Sequence, residues 1–550
     1  MRITLAQLNY HIGNFSNNKE LICRAIKKAR DQRSDLIIFS ELCIPGYPPL
    51  DLLDRLDFIE DCNTIVKEIA EECTGIAAIV GSPTLNRNPH GKKLFNAALI
   101  LSEGNVVFSA NKGLLPTYDI FDEYRYFEPG NRFSTFDYKG LKIAVTICED
   151  LWDEQPFDNE FEKMRLYTIS PMEELAKQNP DMIINISASP FSYTKIKAKE
   201  NIFRSKAIKY GIPVITVNQT GANTELIFDG ASKVVNGKGE IVYHLPFFEE
   251  NIFTFTLEDI RSASIYKHEE EPGVISLIHK ALRTGICDYF AKLNFSDCII
   301  GLSGGIDSAV SLCLASEALG KDHVRALLLP SRYSSEHSVS DSVALADNLG
   351  VKYDILNIEK PFSAFEELLA PSFKGEETDV TEENIQARIR AVLLMAFANK
   401  FGCILLNTSN KSEAAVGYGT LYGDMAGGLS VIGDVYKTDV YRLATHINRN
   451  DEIIPRSIIS KAPSAELKNG QLDTDSLPDY TILDGILYQY IEMQKPPEKI
   501  IQDGYDPDIV RKVIRLINSN EYKRFQAPPV LRISSKAFGY GRRMPLVARY

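Results

Sequence analysis

From Arg2 to about Thr256, short apolar runs of strand length recur between polar or glycine-containing turns. They predict strands at 3–8, 36–39, 77–80, 97–101, 142–147, 182–186 and 213–217. Residues 19–30 and 58–72 carry apolar positions at helical spacing, and Val234-Val235-Asn236-Gly237-Lys238-Gly239-Glu240-Ile241-Val242 reads as a hairpin. The mixture points to packed sheets with outer helices. The polar stretch 262–273, with Glu269-Glu270-Glu271-Pro272-Gly273, is the predicted linker, giving domains 1–261 and 274–550.

Beyond that stretch the pattern becomes regular. A helix from Val274, a strand at 298–302, a helix from Ser308 and a strand at 324–329 come first. A helix near 338–349, a strand at 353–358, a long helix at 382–400 and a strand at 403–407 follow. This βαβ alternation predicts a doubly wound parallel sheet, Rossmann-like in plan, with ligands collecting at the carboxyl ends of its strands.

Composition narrows the function classes. The chain has 550 residues, 44% hydrophobic and 24% charged, with a net charge of −12, which argues against a broad nucleic-acid or anionic-membrane footprint. No apolar run approaches the length of a membrane span, and the first residues alternate like a strand instead of forming an export signal. The 9 cysteines are scattered without zinc-type spacing, so a reduced, cytoplasmic setting is expected.

Three strands of the first half end in chemically capable residues. The strand at 36–39 runs through Ser40 into Glu41, Val106 to Ala110 runs through Asn111 into Lys112, and 141–147 runs into Cys148-Glu149-Asp150-Leu151-Trp152. No histidine is placed to activate the thiol, so a carboxylate must serve as base and an ammonium can stabilise an oxyanion. In the second half, Gly301-Leu302-Ser303-Gly304-Gly305-Ile306-Asp307-Ser308 follows a buried strand and opens a helix. Glycines admit a ligand close to the backbone, and the helix N-terminus favours anions. Serine hydroxyls donate, and Asp307 offers a carboxylate for Mg²⁺. The loop is not a Walker A sequence. Arg332 in the next βα loop, and Arg388 and Arg390 at the head of the long helix, are further candidates for nucleotide contact. The run 417–433 is Gly-rich and long enough to be functional.

These strings carry two resemblances. Phe39-Ser40-Glu41-Leu42-Cys43, Lys112-Gly113-Leu114-Leu115-Pro116 and Thr146-Ile147-Cys148-Glu149-Asp150 resemble the three motifs of the nitrilase superfamily, in order. The resemblance implies an α-β-β-α sandwich with Glu41 as base, Lys112 as oxyanion stabiliser and Cys148 as nucleophile. It further implies Glu123 as support for the lysine and Tyr118, Ser189 and Lys195 as glutamine contacts. Ser303-Gly304-Gly305-Ile306-Asp307-Ser308 resembles the pyrophosphatase loop of AMP-forming ATP enzymes. With Asn384-Ile385-Gln386-Ala387-Arg388, Thr408, Glu413, Tyr422-Gly423-Asp424, Lys437 and the terminal Lys536 region, the second half resembles the synthetase domain of glutamine-dependent NAD synthetases.

That second resemblance implies ATP held by Gly301 to Ser308 (Gly301, Leu302, Ser303, Gly304, Gly305, Ile306, Asp307, Ser308), Thr408 and Lys437. It implies deamido-NAD at Asn384, Glu413, Asp424 and Lys536, and Mg²⁺ at Asp307 and Glu413. The implied enzyme is a carbon–nitrogen ligase using glutamine, ATP and deamido-NAD, with no redox cofactor, no nucleic-acid partner, an internal ammonia route and a homo-oligomeric state. Two rivals stand beside this reading: another ammonia-using ATP pyrophosphatase, of the GMP synthetase or tRNA-modifying kind, and a non-catalytic nucleotide-binding regulator.

Overall fold

The computed structural model describes residues 1–154, 156–158, 163–262 and 272–548. Its contacts divide the chain into Met1–Pro272 and Gly273–Tyr550. Residues 263–271 of the expected linker lie outside the described residues.

In the first unit, β1 (Arg2–Gln7), α1 (Phe15–Asp31), β2 (Leu36–Ile38) and α2 (Leu56–Glu72) lead to an antiparallel run of β3 (Ala77–Leu85), β4 (Leu94–Ser102) and β5 (Asn105–Asn111). β6 (Phe136–Tyr138), β7 (Leu141–Ile147), a hairpin of β8 (Pro156–Asp158) and β9 (Lys163–Arg165), α3 (Pro171–Ala176) and β10 (Met182–Ser187) follow. Then come α4 (Ile196–Tyr210), β11 (Val214–Asn218), and a hairpin of β12 (Thr220–Asn223) and β13 (Leu226–Asp229). β14 (Lys233–Val235), β15 (Ile241–His244), β16 (Asn251–Thr256) and α5 (Leu257–Ser262) complete the unit.

Two 6-stranded sheets result, ordered β16-β1-β2-β3-β4-β5 and β15-β14-β11-β10-β7-β6. Ile3, Leu5, Ile38 and Ile79 of the first pack against Ile143, Val145, Ile184 and Ile186 of the second. The outer face of the first sheet is covered by α1 and α2 through Ile22, Ile26, Ile59 and Val66, and that of the second by α3 and α4 through Met172, Leu175 and Ala207. This is the expected α-β-β-α sandwich. Each fully buried Ile or Leu contributes about 1.5–3 kcal/mol, so alternation along the strands is sufficient to fix which face turns inward. Helix α1 starts earlier than its apolar spacing predicts, because the Asn14 side chain caps it by accepting the N–H of Asn17 at 3.3 Å.

The second unit opens with α6 (Val274–Leu293) and β17 (Cys298–Gly301). It continues through α7 (Ile306–Leu319), β18 (Val324–Leu328), α8 (Glu336–Leu349), β19 (Lys352–Ile355), α9 (Glu359–Leu369) and α10 (Val380–Phe401). β20 (Ile404–Asn407), α11 (Lys411–Val416), β21 (Leu429–Ser430) and α12 (Lys437–Ile447) follow. The 5-stranded sheet has the order β19-β18-β17-β20-β21 and is parallel throughout, so the doubly wound expectation holds. The order reverses at β17, which places the carboxyl ends of β17, β18 and β20 around one crevice. The strand expected at 353–358 is shorter, ending at Ile355, because the chain turns to cap α9. The Gly-rich run holds mainly turns and the short β21.

Candidate active sites

Three loops of the first unit meet around Lys112, which follows β5 and is 1% exposed. Its ammonium donates to Glu41 Oε1 at 2.7 Å and to Glu123 Oε1 at 2.9 Å. Asn96 Nδ2 donates to the same Glu41 oxygen at 2.7 Å, and the N–H of Ala188 holds Glu41 Oε2 at 3.1 Å. Tyr47 donates to Glu123 at 3.1 Å. The Glu41 loop lies flat on β3 at Gly81, where a Cβ would meet the Leu42 nitrogen at 2.2 Å, so only glycine fits.

Cys148 follows β7 directly in a left-handed conformation, φ 43°, and is 7% exposed. Such a φ in a non-glycine residue is uncommon and is stored where the surroundings over-determine it. Burial pushes the thiol well above its ordinary range, the Glu41 carboxylate adds to this, and Lys112 opposes it. The sulfur therefore rests as a thiol and must lose its proton as it attacks. Burial would lower Lys112, but Glu123 and Glu41 together carry it well above its usual value. One ammonium shared by two buried carboxylates leaves Glu123 pushed up to about 7, chiefly by burial.

Beside the thiol, the buried Glu149 accepts hydrogen bonds from Tyr118 at 2.9 Å and Tyr167 at 2.9 Å. The Lys195 ammonium stands 5.9 Å from the Tyr118 ring centre. Ser189 is anchored through its backbone to Asn218, whose side chain also donates to Asp229 at 2.9 Å, and it lines a small cavity with Trp152, Lys199 and Asp229. Glu41, Lys112 and Cys148 are thus brought together, with Tyr118 and Lys195 joined to them through Glu149. Asn96 and Tyr167 were missed by sequence reasoning. A lone Asn inside the apolar β4 was the available signal for the first, and nothing marked the second.

In the second unit a cavity of ≈ 290 Å³ opens at the carboxyl ends of β17, β18 and β20. Gly301 to Ser308, Thr408, Glu413, Asp424 and Lys437 all line it. The loop is knitted by its own hydroxyls: Ser303 Oγ accepts the N–H of Gly305 at 3.2 Å and lies 3.1 Å from Ser308 Oγ. Gly304, at φ 79°, lies under the first turn of α8, where a Cβ would meet Ser338 O at 2.5 Å. Asp307 accepts from Asn410 Nδ2 at 2.9 Å and pairs with the Lys437 ammonium, which also reaches Glu413 at 3.3 Å. Burial, reinforced by Asp307, pushes the Glu413 carboxyl up to about 8.

Two carboxylates converging on one ammonium form a hard oxygen pair suited to a divalent cation completed by phosphate oxygens. Among the described residues no group of three or more His, Cys, Asp or Glu could hold a metal by itself.

Asn384 and Lys536 stand outside the cavity lining. Asn384 Oδ1 accepts from Thr420 Oγ1 at 2.7 Å, and Thr420 N donates to Asp424 at 2.6 Å, so Asn384 reaches the cavity wall indirectly. The Lys536 carbonyl accepts from Lys411 at 3.0 Å. Arg390 lines the cavity, donating to Leu329 O at 3.0 Å, and burial lowers it to about 10. Arg388 instead donates to Leu421 O at 3.3 Å, outside the lining. Arg332 also lies outside, captured by Glu359 and Glu366 of α9. The loop residues Lys461, Glu466 and Asp473 line the cavity as well, and Glu466 accepts from Ser338 Oγ of α8 at 2.8 Å. Sequence reasoning missed them, since a polar loop without a flanking strand gives no signal of where it lands.

Among the described residues no helix is long and apolar enough to cross a membrane. The carbon-nitrogen hydrolase family matches residues 2–264, and the NAD synthase family matches residues 278–527. The glutamine-dependent NAD(+) synthetase of Synechocystis sp. is 43% identical, with 100% of this chain and 99% of that one covered. The enzyme of the same name from Thermotoga maritima is 39% identical, with 100% and 99% covered. The structure of glutamine-dependent NAD+ synthetase from Acinetobacter baumannii, in complex with adenosine diphosphate, is 36% identical over 99% of this chain and 98% of that one, with a TM-score of 0.78. The chain belongs to the glutamine-dependent NAD(+) synthetase family.

Proposed function

We propose that this chain makes NAD from deamido-NAD, ATP and glutamine, with glutamine hydrolysis assigned to residues 1–261 and amide formation to residues 274–550. The observation that supports it most directly is the convergence of Glu41, Lys112 and Cys148 in one unit and of the pyrophosphate loop, Asp307, Glu413 and Lys437 in the other.

In the first site Cys148 Sγ attacks the carboxamide carbon of glutamine while Glu41 takes the thiol proton. Lys112, pinned between Glu41 and Glu123, faces the developing oxyanion. The tetrahedral intermediate collapses, the C–N bond breaks, and Glu41 returns its proton to the departing ammonia. Water, deprotonated by Glu41, then attacks the thioester carbonyl, the C–S bond breaks to release glutamate, and Glu41 returns the proton to Cys148 Sγ. Tyr118, Ser189 and Lys195 are assigned to the glutamine backbone groups.

In the second site a carboxylate oxygen of deamido-NAD attacks the α-phosphorus of ATP and pyrophosphate leaves. Ammonia then attacks the activated carbonyl carbon, AMP departs, and the amide forms. Ser303 to Ser308 present backbone N–H groups and hydroxyls to the phosphates, and Lys437 and Thr408 complete the contact. Asp307 and Glu413 would hold Mg²⁺, which supplies charge neutralisation on the phosphates. Asn384, Asp424 and Lys536 are assigned to deamido-NAD.

The test is Cys148→Ala, assayed for NAD, AMP and glutamate with glutamine or with ammonium salts at mildly alkaline pH. Glutamine-dependent synthesis falls by about 10³-fold or more for want of a thioester, and ammonia-dependent synthesis stays at the parent rate. A variant that still uses glutamine, or ADP as the nucleotide product, would sink the reading.

A further inference from the structure

The Asp150 carboxylate is bonded to both chain segments that carry the proposed oxyanion-stabilising lysine and nucleophile. It lies in the short turn after β7 and is 2% exposed. Oδ1 accepts the N–H groups of Gly113 and Leu114, each at 2.9 Å, immediately after Lys112. Oδ2 accepts the N–H of Ile147 at 3.0 Å, immediately before Cys148. The lysine is further fixed on its own backbone, because its N–H donates to Asn96 O at 2.8 Å and its carbonyl accepts from Gly130 at 2.7 Å. The Cys148 carbonyl lies at the head of the 3-10 turn Cys148–Leu151 and also accepts from Asn185 Nδ2 at 3.3 Å. The Cys148 backbone, at φ 43°, thus lies between the Ile147 N–H held by the Asp150 carboxylate and the short turn to which Asp150 itself belongs.

We infer that Asp150 is a positioning residue that sets the register between Lys112 and Cys148, and so between oxyanion stabiliser and nucleophile; this rests on the proposed roles of those two residues. Three N–H groups around one carboxylate require acceptors on both oxygens. An amide in its place would turn an NH₂ toward an N–H donor on one side, releasing either the lysine segment or the cysteine turn. Misplacement of reacting groups by about 1 Å can cost roughly 10²-fold in rate without touching substrate binding.

The experiment uses full-length Asp150→Asn and Asp150→Ser, with Cys148→Ala alongside, and measures kcat and KM for glutamine hydrolysis together with ammonia-dependent NAD formation. Asp150→Asn is expected to lower kcat by about 10²-fold, with KM for glutamine within about threefold and ammonia-dependent synthesis at the parent rate. Asp150→Ser, whose single oxygen lies one bond closer to the backbone and cannot span both segments, is expected to lower kcat at least as far as Asp150→Asn. A kcat within threefold of the parent in both variants overturns the inference, as does a loss confined to KM. A parallel loss of ammonia-dependent synthesis in both variants also overturns it, because the residue then serves the fold as a whole. If Cys148→Ala retains glutamine use, the functional reading itself has failed; if only the Asp150 variants are unaffected, that reading stands and this inference alone is lost.

Discussion

Lys112 illustrates how few charges the first site uses. Two buried carboxylates, Glu41 and Glu123, share one ammonium, so the trio carries a net negative charge that burial makes unfavourable. Glu123 responds by titrating near 7, against about 4.3 for an unperturbed glutamate. Between those values the unfolded chain has lost the proton that the folded chain keeps, so stability falls as pH rises through this window and levels off above it. Removing the carboxyl removes this dependence. Thermal midpoints of the parent and of Glu123→Gln, measured from pH 4.5 to 8, are expected to show the parent losing ground to the variant up to about pH 7 and then holding a constant offset. A flat difference across the range would show that Glu123 does not hold its proton in the fold.

The element scale explains why that geometry is reproducible. Glu41, Lys112 and Cys148 each follow a strand of the sandwich: β2 and β5 run in the same direction in the first sheet, with β3 and β4 between them, and β7 belongs to the second. The tightest point is the crossing of the Glu41 loop over β3, where Gly81 also donates its N–H to Cys43 Sγ at 3.3 Å. Gly81→Ala drives a Cβ into backbone instead of a yielding side chain, so the loop must lift. Strain of this kind costs about 1–3 kcal/mol in stability. Glutamine hydrolysis is expected to drop at least about tenfold, while ammonia-dependent NAD synthesis is unchanged. Parent-like glutaminase kinetics in Gly81→Ala would show that the loop can move without disturbing Glu41.

Much of the element pattern was legible in the chain itself. The βαβ rhythm of the second half is periodic and long, and the apolar core strands of the first half alternate with the inward face. Boundaries were less legible. Helix α10 begins ahead of its apolar body because Asp379 and Glu382 cap one another, and a cap is written in polar residues that periodicity ignores. Arg332 shows the other limit. It sits in a loop of the right kind, yet Glu359 and Glu366, more than twenty residues on, draw it away from the cavity.

At the scale of the whole molecule the two units are assigned separate chemistry, and a change in one reports on that division. Asp307→Asn keeps the side-chain size but removes the charge that pairs with Lys437. NAD formation is expected to be lost with glutamine and with ammonia alike, because both need the activated carboxylate, whereas glutamine hydrolysis survives at least in part. Normal ammonia-dependent synthesis by this variant would overturn the role given to Asp307. A second change tests how the second unit is held together. Lys411 is fully buried, with Nζ within 2.8 Å of Glu492, 2.9 Å of Asp434 and 2.8 Å of Ser534 Oγ. Lys411→Met leaves two buried carboxylates uncompensated and is expected to destabilise the second unit by about 3–5 kcal/mol, read by denaturant unfolding. An unchanged midpoint would show that the network is replaceable.

The sequence by itself determined the layer architecture, the strand ends that carry Glu41, Lys112 and Cys148, and the loop from Ser303 to Ser308. Apolar period and glycine placement are local properties, and local properties survive in a one-dimensional reading. The tertiary structure alone decided which distant groups meet them. Glu123 and Asn96 converge on the Lys112–Glu41 pair, Asp150 staples two loops 37 residues apart, and Glu466 and Asp473 are folded back onto the cavity at the carboxyl ends of β17, β18 and β20. Side chains that act across such separations are selected by sheet order and loop path, and these are fixed only when the hydrophobic faces close on one another.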